Sequence, residues 1–177
     1  YYYHNGIVDR INELTEDSKL CNVAFYKTET SGRDRADLPE YKLKAEIAFC
    51  FSQKTKAQEY YHNSSWLEHG GSPEKAAKQG FLSGFDKYLK DKGKYKKNES
   101  KITYVDIEDC LVLITNTFST QTSYANQTKK AITNDFICSF LTDYIKRCLE
   151  IFFAENPADA EKAANQVLLN KRSRETA

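Results

Sequence analysis

Residues 41–51 alternate more regularly than any other stretch of the chain. Tyr41, Leu43, Ala45, Ile47, Phe49 and Phe51 are apolar, and Lys42, Lys44 and Glu46 stand between them. A period of two sends one face of a strand into a core and leaves the other wet near its start, so the chain has to build a sheet with a covered face. Residues 20–27 and 57–62 read as neighbouring strands. A loop over 28–39, containing Ser31-Gly32-Arg33-Asp34-Arg35, joins the first to the second. The short gap at 52–56 predicts an antiparallel hairpin between the second and third strands. Residues 111–118 form a fourth strand, and the unbroken apolar run Leu111 to Ile114 implies burial on both faces.

Helices account for most of the remainder. Ser72-Pro73 supplies a cap and a first-turn proline for a helix reaching about Lys92, with Ala77, Phe81, Phe85 and Tyr88 along one stripe. Thr133 or Asn134 opens a second, in which Ile137, Phe140, Leu141, Tyr144, Ile145, Cys148, Leu149 and Phe152 recur at helical spacing. Asn156-Pro157 ends that helix and caps a third, which runs from Ala158 with Ala160, Ala163, Ala164, Val167 and Leu168 inward and turns basic at Lys171-Arg172-Ser173-Arg174. Strands grouped and helices grouped predict an α+β fold, a mixed four-stranded sheet with helices on one face and long helices at the C-terminal end.

At 177 residues the chain is long enough to bury a core without staples. Its 26 basic and 25 acidic residues leave a net charge of +1, so only local clusters can address nucleic acid. No apolar run approaches the length of a membrane span, and no signal-peptide pattern opens the chain, which points to a cytoplasmic protein without a membrane partner. The five cysteines are an odd set without Cys-x-x-Cys spacing, and buried reduced thiols are the expectation. Methionine is absent, even at position 1, and the last helix has no stop signal; both suggest a piece of something longer.

Candidate chemistry is sparse. The seven glycines form neither G-x-G-x-x-G nor G-x-x-x-x-G-K-[ST], and His4, His62 and His69 have no metal-ligand spacing, so no metal site is expected. Residues 87–101 hold seven lysines against Asp91 and Glu99, with Tyr88 and Tyr95 interleaved. That stretch is either a solvated helix end and loop or a contact for a phosphate backbone. In the second case Lys94, Lys96 and Lys97, with Arg172 and Arg174, are the candidate nucleic-acid contacts, non-specific and salt-sensitive. Residues 124–132, Tyr-Ala-Asn-Gln-Thr-Lys-Lys-Ala-Ile, lie between the buried strand and the long helix. From the residues alone the stretch is either an exposed loop approaching the helix or a phosphate contact, in which Lys129 offers a point charge on a long stem and Gln127 an amide donor, a pair suited to a terminal phosphate presented from a neighbouring domain.

With its surroundings that segment resembles the Gln-Thr-Lys loop of the type IIA topoisomerase ATPase subunits, the B subunits of DNA gyrase and of topoisomerase IV. Tyr3-His4-Asn5-Gly6-Ile7 is similar to the family's aromatic stretch ending in Gly-Ile. Residues 60–64 followed by Glu68-His69-Gly70-Gly71-Ser72 are similar to its strand, asparagine-bearing loop and Glu-Gly-Gly-Thr-His turn. Asp106 to Leu111 resembles Asp-Val-Arg-Glu-Gly-Leu, with Glu108 for arginine and Cys110 for glycine. Asn156-Pro157 and Arg172-Ser173-Arg174-Glu175 match late family stretches. Gln121-Thr122 mimics the Gln-Thr-Lys loop, but Ser123 follows where lysine is required.

The resemblance implies a transducer domain over residues 1–155, with a left-handed β-α-β crossover, and a linker helix over 156–177 leading to a TOPRIM region. It implies a GHKL domain upstream that holds ATP and Mg2+. Lys129 would then act on the γ-phosphate as the catalytic cation, with Gln127 beside it, in an enzyme that couples ATP hydrolysis to DNA strand passage. The parent would be a homodimer of B subunits working with the gyrase A subunit on DNA, and this piece alone would be inactive. The alternative is a stand-alone nucleic-acid-binding module built on residues 87–101.

Overall fold

The computed structural model describes residues 6–15, 19–53, 55–63, 65–67, 70–120 and 131–176. Strand β1 (Ala24–Gly32) pairs antiparallel with β2 (Tyr41–Phe51) over its full length, Ala24 opposite Phe49 and Gly32 opposite Tyr41. It therefore continues through 28–32, where the sequence pattern predicts a loop. Its burial alternates residue by residue, and polar β-branched Thr28 and Thr30 suit an edge strand that the hydropathy pattern under-reports.

Strand β3 (Ala57–His62) does not form the expected hairpin with β2. The sheet order is β1-β2-β6-β3-β4, with β6 (Leu111–Ser119) lying antiparallel to β2 and parallel to β3. The short gap misleads because β6, buried on both faces over Leu111–Thr115, is the strand that needs two neighbours. A two-residue strand β4 (Ser65–Trp66) closes the far edge, and β5 (Gly70–Gly71) pairs in parallel with β7 (Ala131–Ile132) as a separate ribbon.

One sheet face carries Leu43, Ala45, Ile47, Phe49 and Phe51 of β2 beside Leu111 and Leu113 of β6. Over it lie α2 (Ser72–Asp91) and α4 (Asp135–Glu155). Phe49 meets Phe81 and Phe152 edge-on at 5.4 Å each, and Phe51 meets Phe85 at 5.4 Å, the geometry that aligns ring edges with ring faces. Helix α2 ends in a Schellman motif: Gly93, at φ 62, lets Lys94 N–H reach Leu89 O at 2.9 Å and Gly93 N–H reach Lys90 O at 3.1 Å. A five-residue helix, α3 (Tyr104–Glu108), then leads into β6, and α5 (Pro157–Thr176) lays Ala160, Ala163, Ala164, Val167 and Leu168 into the same core. The opposite face is covered at one end by α1 (Ile7–Thr15), an element the sequence pattern does not predict, whose Arg10 holds Glu59 of β3 at 3.1 Å. The architecture is α+β, a mixed sheet of four long strands with the long helices on one side.

Candidate functional site

Where β3 and β6 run parallel, their carboxyl ends turn polar on the helix-covered face. Strand register sets His62 beside Thr117, and both are fully buried. Thr117 Oγ1 lies 3.2 Å from Tyr61 O, which can accept its proton, and 2.7 Å from His62 Nδ1, while His62 Nε2 lies 3.4 Å from Ser119 Oγ. Burial lowers the imidazole pKa from 6.5 to about 4, and the ring is neutral at physiological pH. Asn63, in the left-handed region at φ 48, clasps the end of β6: its Oδ1 accepts from Ser119 N–H at 2.9 Å, its Nδ2 donates to Ser119 O at 3.3 Å, and its own N–H donates to Thr117 O at 2.8 Å.

A second polar cluster fixes the start of α4. Asp34, from the turn between β1 and β2, accepts from Tyr41 Oη at 2.7 Å, from Phe136 N–H at 3.0 Å and from Asn134 Nδ2 at 3.0 Å. A carboxylate from a distant turn thus satisfies a first-turn amide of α4 and complements the positive end of its dipole. Asn134, one of the two residues expected to open the helix, is its N-cap residue, but its side chain goes to Asp34 and not to a first-turn amide, and its carbonyl accepts from Ser72 Oγ at 2.9 Å. Burial and the hydrogen bond to Asp34 push the Tyr41 hydroxyl pKa upward. Nothing in the sequence marks His62, Thr117, Asn63 or Asp34 as a site residue. Each is an ordinary residue until the parallel β3–β6 register and the β1–β2 turn bring it to its partner.

These clusters flank the two ends of residues 121–130. On one side Thr120 follows β6, its N–H donating to Lys42 O at 3.3 Å and its Oγ1 accepting from Lys42 N–H at 3.2 Å. On the other, Ala131–Ile132 pairs with Gly70–Gly71 one short step before α4. Gln127, Lys129 and the look-alike Gln121 lie outside the described residues, as do His69 and His4.

The basic candidates have a different setting. Lys94 Nζ lies 3.1 Å from Glu161 and 3.4 Å from Asn165 Oδ1 of α5. Arg172 is bidentate to Glu99, with Nε and one Nη at 3.0 and 2.9 Å, and Arg174 is bidentate to Asp106 at 2.8 and 3.1 Å. Lys96 and Lys97 are exposed. Three of the five cations are therefore already engaged with carboxylates of the same chain. A groove of about 490 Å³ between α2 and α4 is lined by Lys87, Lys92, Lys146, Glu150, Tyr88 and Phe153 among others, its charges of both signs.

Among the described residues no group of three or more His, Cys, Asp or Glu side chains is arranged to hold a metal ion. The described thiols are unpaired, and burial raises Cys21 to about 11 and Cys50 and Cys110 to about 12, which leaves them protonated and unreactive. No helix of the described residues is long and apolar enough to cross a membrane.

A family model described as DNA gyrase B matches residues 6–177. Among curated proteins, the DNA gyrase B subunit of Metamycoplasma arthritidis is 26% identical over 175 residues, covering 98% of this chain and 27% of that protein. The gyrase B subunit of Archaeoglobus fulgidus is 24% identical over 178 residues, 100% of this chain and 26% of that protein. The chain thus spans about a quarter of the length of the curated relatives it matches. Among solved structures it is similar to the 43K ATPase domain of Thermus thermophilus gyrase B, crystallised with an aminocoumarin, with a TM-score of 0.78 at 18% identity over 97% of this chain and 44% of that one. The topoisomerase IV ATP-binding domain of Francisella tularensis gives 0.76 at 18% identity, covering 98% and 44%. At that identity the two structures establish the fold.

Proposed function

The chain belongs to the DNA gyrase B family, and on that premise we propose that it is the transducer part of the ATP-hydrolysing subunit of a type II DNA topoisomerase. The observation that carries this reading is the family match over residues 6–177. Residues 121–130 begin beyond the carboxyl end of β6 and end just ahead of α4. Substrate ATP, with Mg2+, would be held by a domain outside this chain. The partners proposed are DNA, the gyrase A protein and a second B subunit, in the cytoplasm.

Lys129 is the residue proposed to meet the γ-phosphate, with Gln127 donating an amide hydrogen bond beside it. An ammonium directed at the transferring group opposes the charge that develops there, and a fixed cation contributes more to the transition state than to the ground state. Loss of the γ-phosphate removes the partner of Lys129, so hydrolysis would free the orientation of this domain. Helices α4 and α5 would carry that change outward. The direct test is Lys129→Ala in the intact protein. ATP turnover is expected to fall by roughly 10²–10³, with only a modest rise in the nucleotide Kd. Turnover at the wild-type rate would remove Lys129 from the reaction.

The competing reading, a nucleic-acid-binding module based on residues 87–101, is weakened by the intrachain ion pairs of Lys94, Arg172 and Arg174. Such a module would bind duplex DNA alone with a steep salt dependence and be indifferent to Lys129→Ala.

A further inference from the structure

The apolar stripe of α5 ends at Leu168. Beyond it the inward position is taken by Lys171, which is fully buried. A helical end without an apolar anchor frays unless other contacts hold it, because two turns alone are too short to be helical in water. Here those contacts are ionic; one, Lys171 to Glu175 at 3.3 Å, lies within the helix, and the others converge on two carboxylates from outside it. Glu99, whose side chain is 9% exposed, accepts from Lys171 Nζ at 2.9 Å and from two nitrogens of Arg172. Asp106, 1% exposed, accepts both arms of Arg174, and its Oδ2 also takes the Thr103 N–H at 2.8 Å, as the acidic half of a capping box does. Asn170 Nδ2 adds a bond to Asp106 O at 3.0 Å, and Ser100 Oγ one to Glu175 at 2.7 Å. The ring of Tyr95 lies 5.9 Å from Lys171 Nζ, and its hydroxyl donates to Asp86 of α2 at 2.7 Å and accepts from Ile102 N–H at 3.1 Å.

We infer that Glu99 and Asp106 form an ionic strap that fixes the direction in which α5 runs and ties its end to the amino end of the central strand. Helix α3, which carries Asp106, runs straight into β6 through Asp109 and Cys110, and Ser52 N–H of the neighbouring chain segment donates to Cys110 O at 2.8 Å. The opposite end of β6 leads in sequence to 121–130. The strap makes α5 a stiff lever on the strand rather than a loosely docked helix. It gives the basic residues Arg172 and Arg174 an intramolecular role, and Glu99 and Asp106 become positioning residues for coupling. Its structural half stands on the contacts above. Its consequence for strand passage rests on the function proposed in the preceding subsection.

The test uses the intact B protein, assembled with the gyrase A protein, and the variants Glu99→Gln, Asp106→Asn and Arg174→Gln; the last leaves Asp106 free to keep its bond to Thr103 and guards against simple misfolding. Amide hydrogen exchange over residues 170–176 is expected to quicken about tenfold or more, with β2 and β6 unchanged. ATP turnover should stay within about twofold of wild type, while strand-passage events per ATP hydrolysed fall about tenfold. Unchanged exchange in α5 overturns the strap. Faster exchange with unchanged passage per ATP overturns the coupling role, and so does an equal loss of turnover and passage. A drop in duplex affinity with α5 still protected would assign the arginines to DNA and also overturn it. Lys129→Ala, run in parallel, separates the two ideas: wild-type turnover there removes Lys129 from the proposed reaction, and the exchange arm still decides whether the strap exists.

Discussion

His62 is placed by strand register, which sets its Nδ1 2.7 Å from Thr117 Oγ1 and its Nε2 3.4 Å from Ser119 Oγ. With its pKa lowered by burial from 6.5 to about 4, the unfolded chain binds a proton that the folded chain refuses between those values. The stabilisation is complete above pH 6.5 and declines as pH falls towards 4, by roughly 3 kcal/mol in all. Chemical denaturation at pH 7.5 and 4.5 should therefore show a loss of stability in wild type that is largely missing in His62→Gln; equal losses in both would refute the assignment. Glu99 and Asp106 behave differently. The guanidinium of Arg172 and the ammonium of Lys171 hold Glu99 well below the usual carboxylate range. Burial alone would raise Asp106, but Arg174 and the Thr103 amide hold it down. Their contribution stays whole above the ordinary carboxylate pKa of about 4 and is lost only below it, so the strap outlasts the neutral state of His62 as acid is added.

Helices α2 and α4 approach closely at two glycines, and the two should respond to substitution in opposite ways. A Cβ on Gly80 would stand 2.7 Å from Ile145 Cγ2, 2.9 Å from its Cβ and 3.2 Å from Thr142 O; the last two move only with the backbone of α4, and the first is the methyl of a β-branched side chain that is stiff at χ1 in a helix. At Gly84 the near atom is Leu149 Cδ1 at 2.6 Å, the end of a side chain that can turn away. Gly80→Ala is expected to cost about 1–3 kcal/mol despite the helix propensity it gains, whereas Gly84→Ala should be neutral or stabilising by up to about 1 kcal/mol. Thermal unfolding of both variants checks this, and a reversed order would contradict the packing. The long helices are the most legible elements of the chain. Ser72-Pro73 and Asn156-Pro157 mark starts that hold to within a residue, because proline and long apolar periodicity act locally. Local pattern fails where neighbours decide. The β2–β3 hairpin does not form because strand order is settled by what must be buried, namely β6, and not by loop length. Helix α1 escapes the sequence pattern although Ile7, Ile11 and Leu14 keep helical spacing, since nine residues are short for a periodic signal.

For the molecule as a whole, fold and family are readable in the sequence, while the polar framework at the two ends of β6 and at the start of α4 is not. The fold shows in apolar periodicity and in family-like stretches that keep their order along the chain. The framework depends on pairings across large separations: Asp34 with Phe136, His62 with Thr117, and Arg174 with Asp106. A charge run looks the same in a sequence whether it faces water, DNA or its own carboxylates, which is why Arg172 and Arg174 pass for outward-facing residues. Taken together, the sheet fixes a central strand, the strap fixes α5 to one end of it, and Lys129 is proposed to meet the nucleotide beyond the other end. That last step is tested most directly by the structure of the intact B protein in complex with a non-hydrolysable ATP analogue. The expected result is Lys129 Nζ within about 3 Å of a γ-phosphate oxygen, the length of a charge-assisted hydrogen bond. An ammonium group packed against its own sheet, with another cation at the γ-phosphate, would contradict the account.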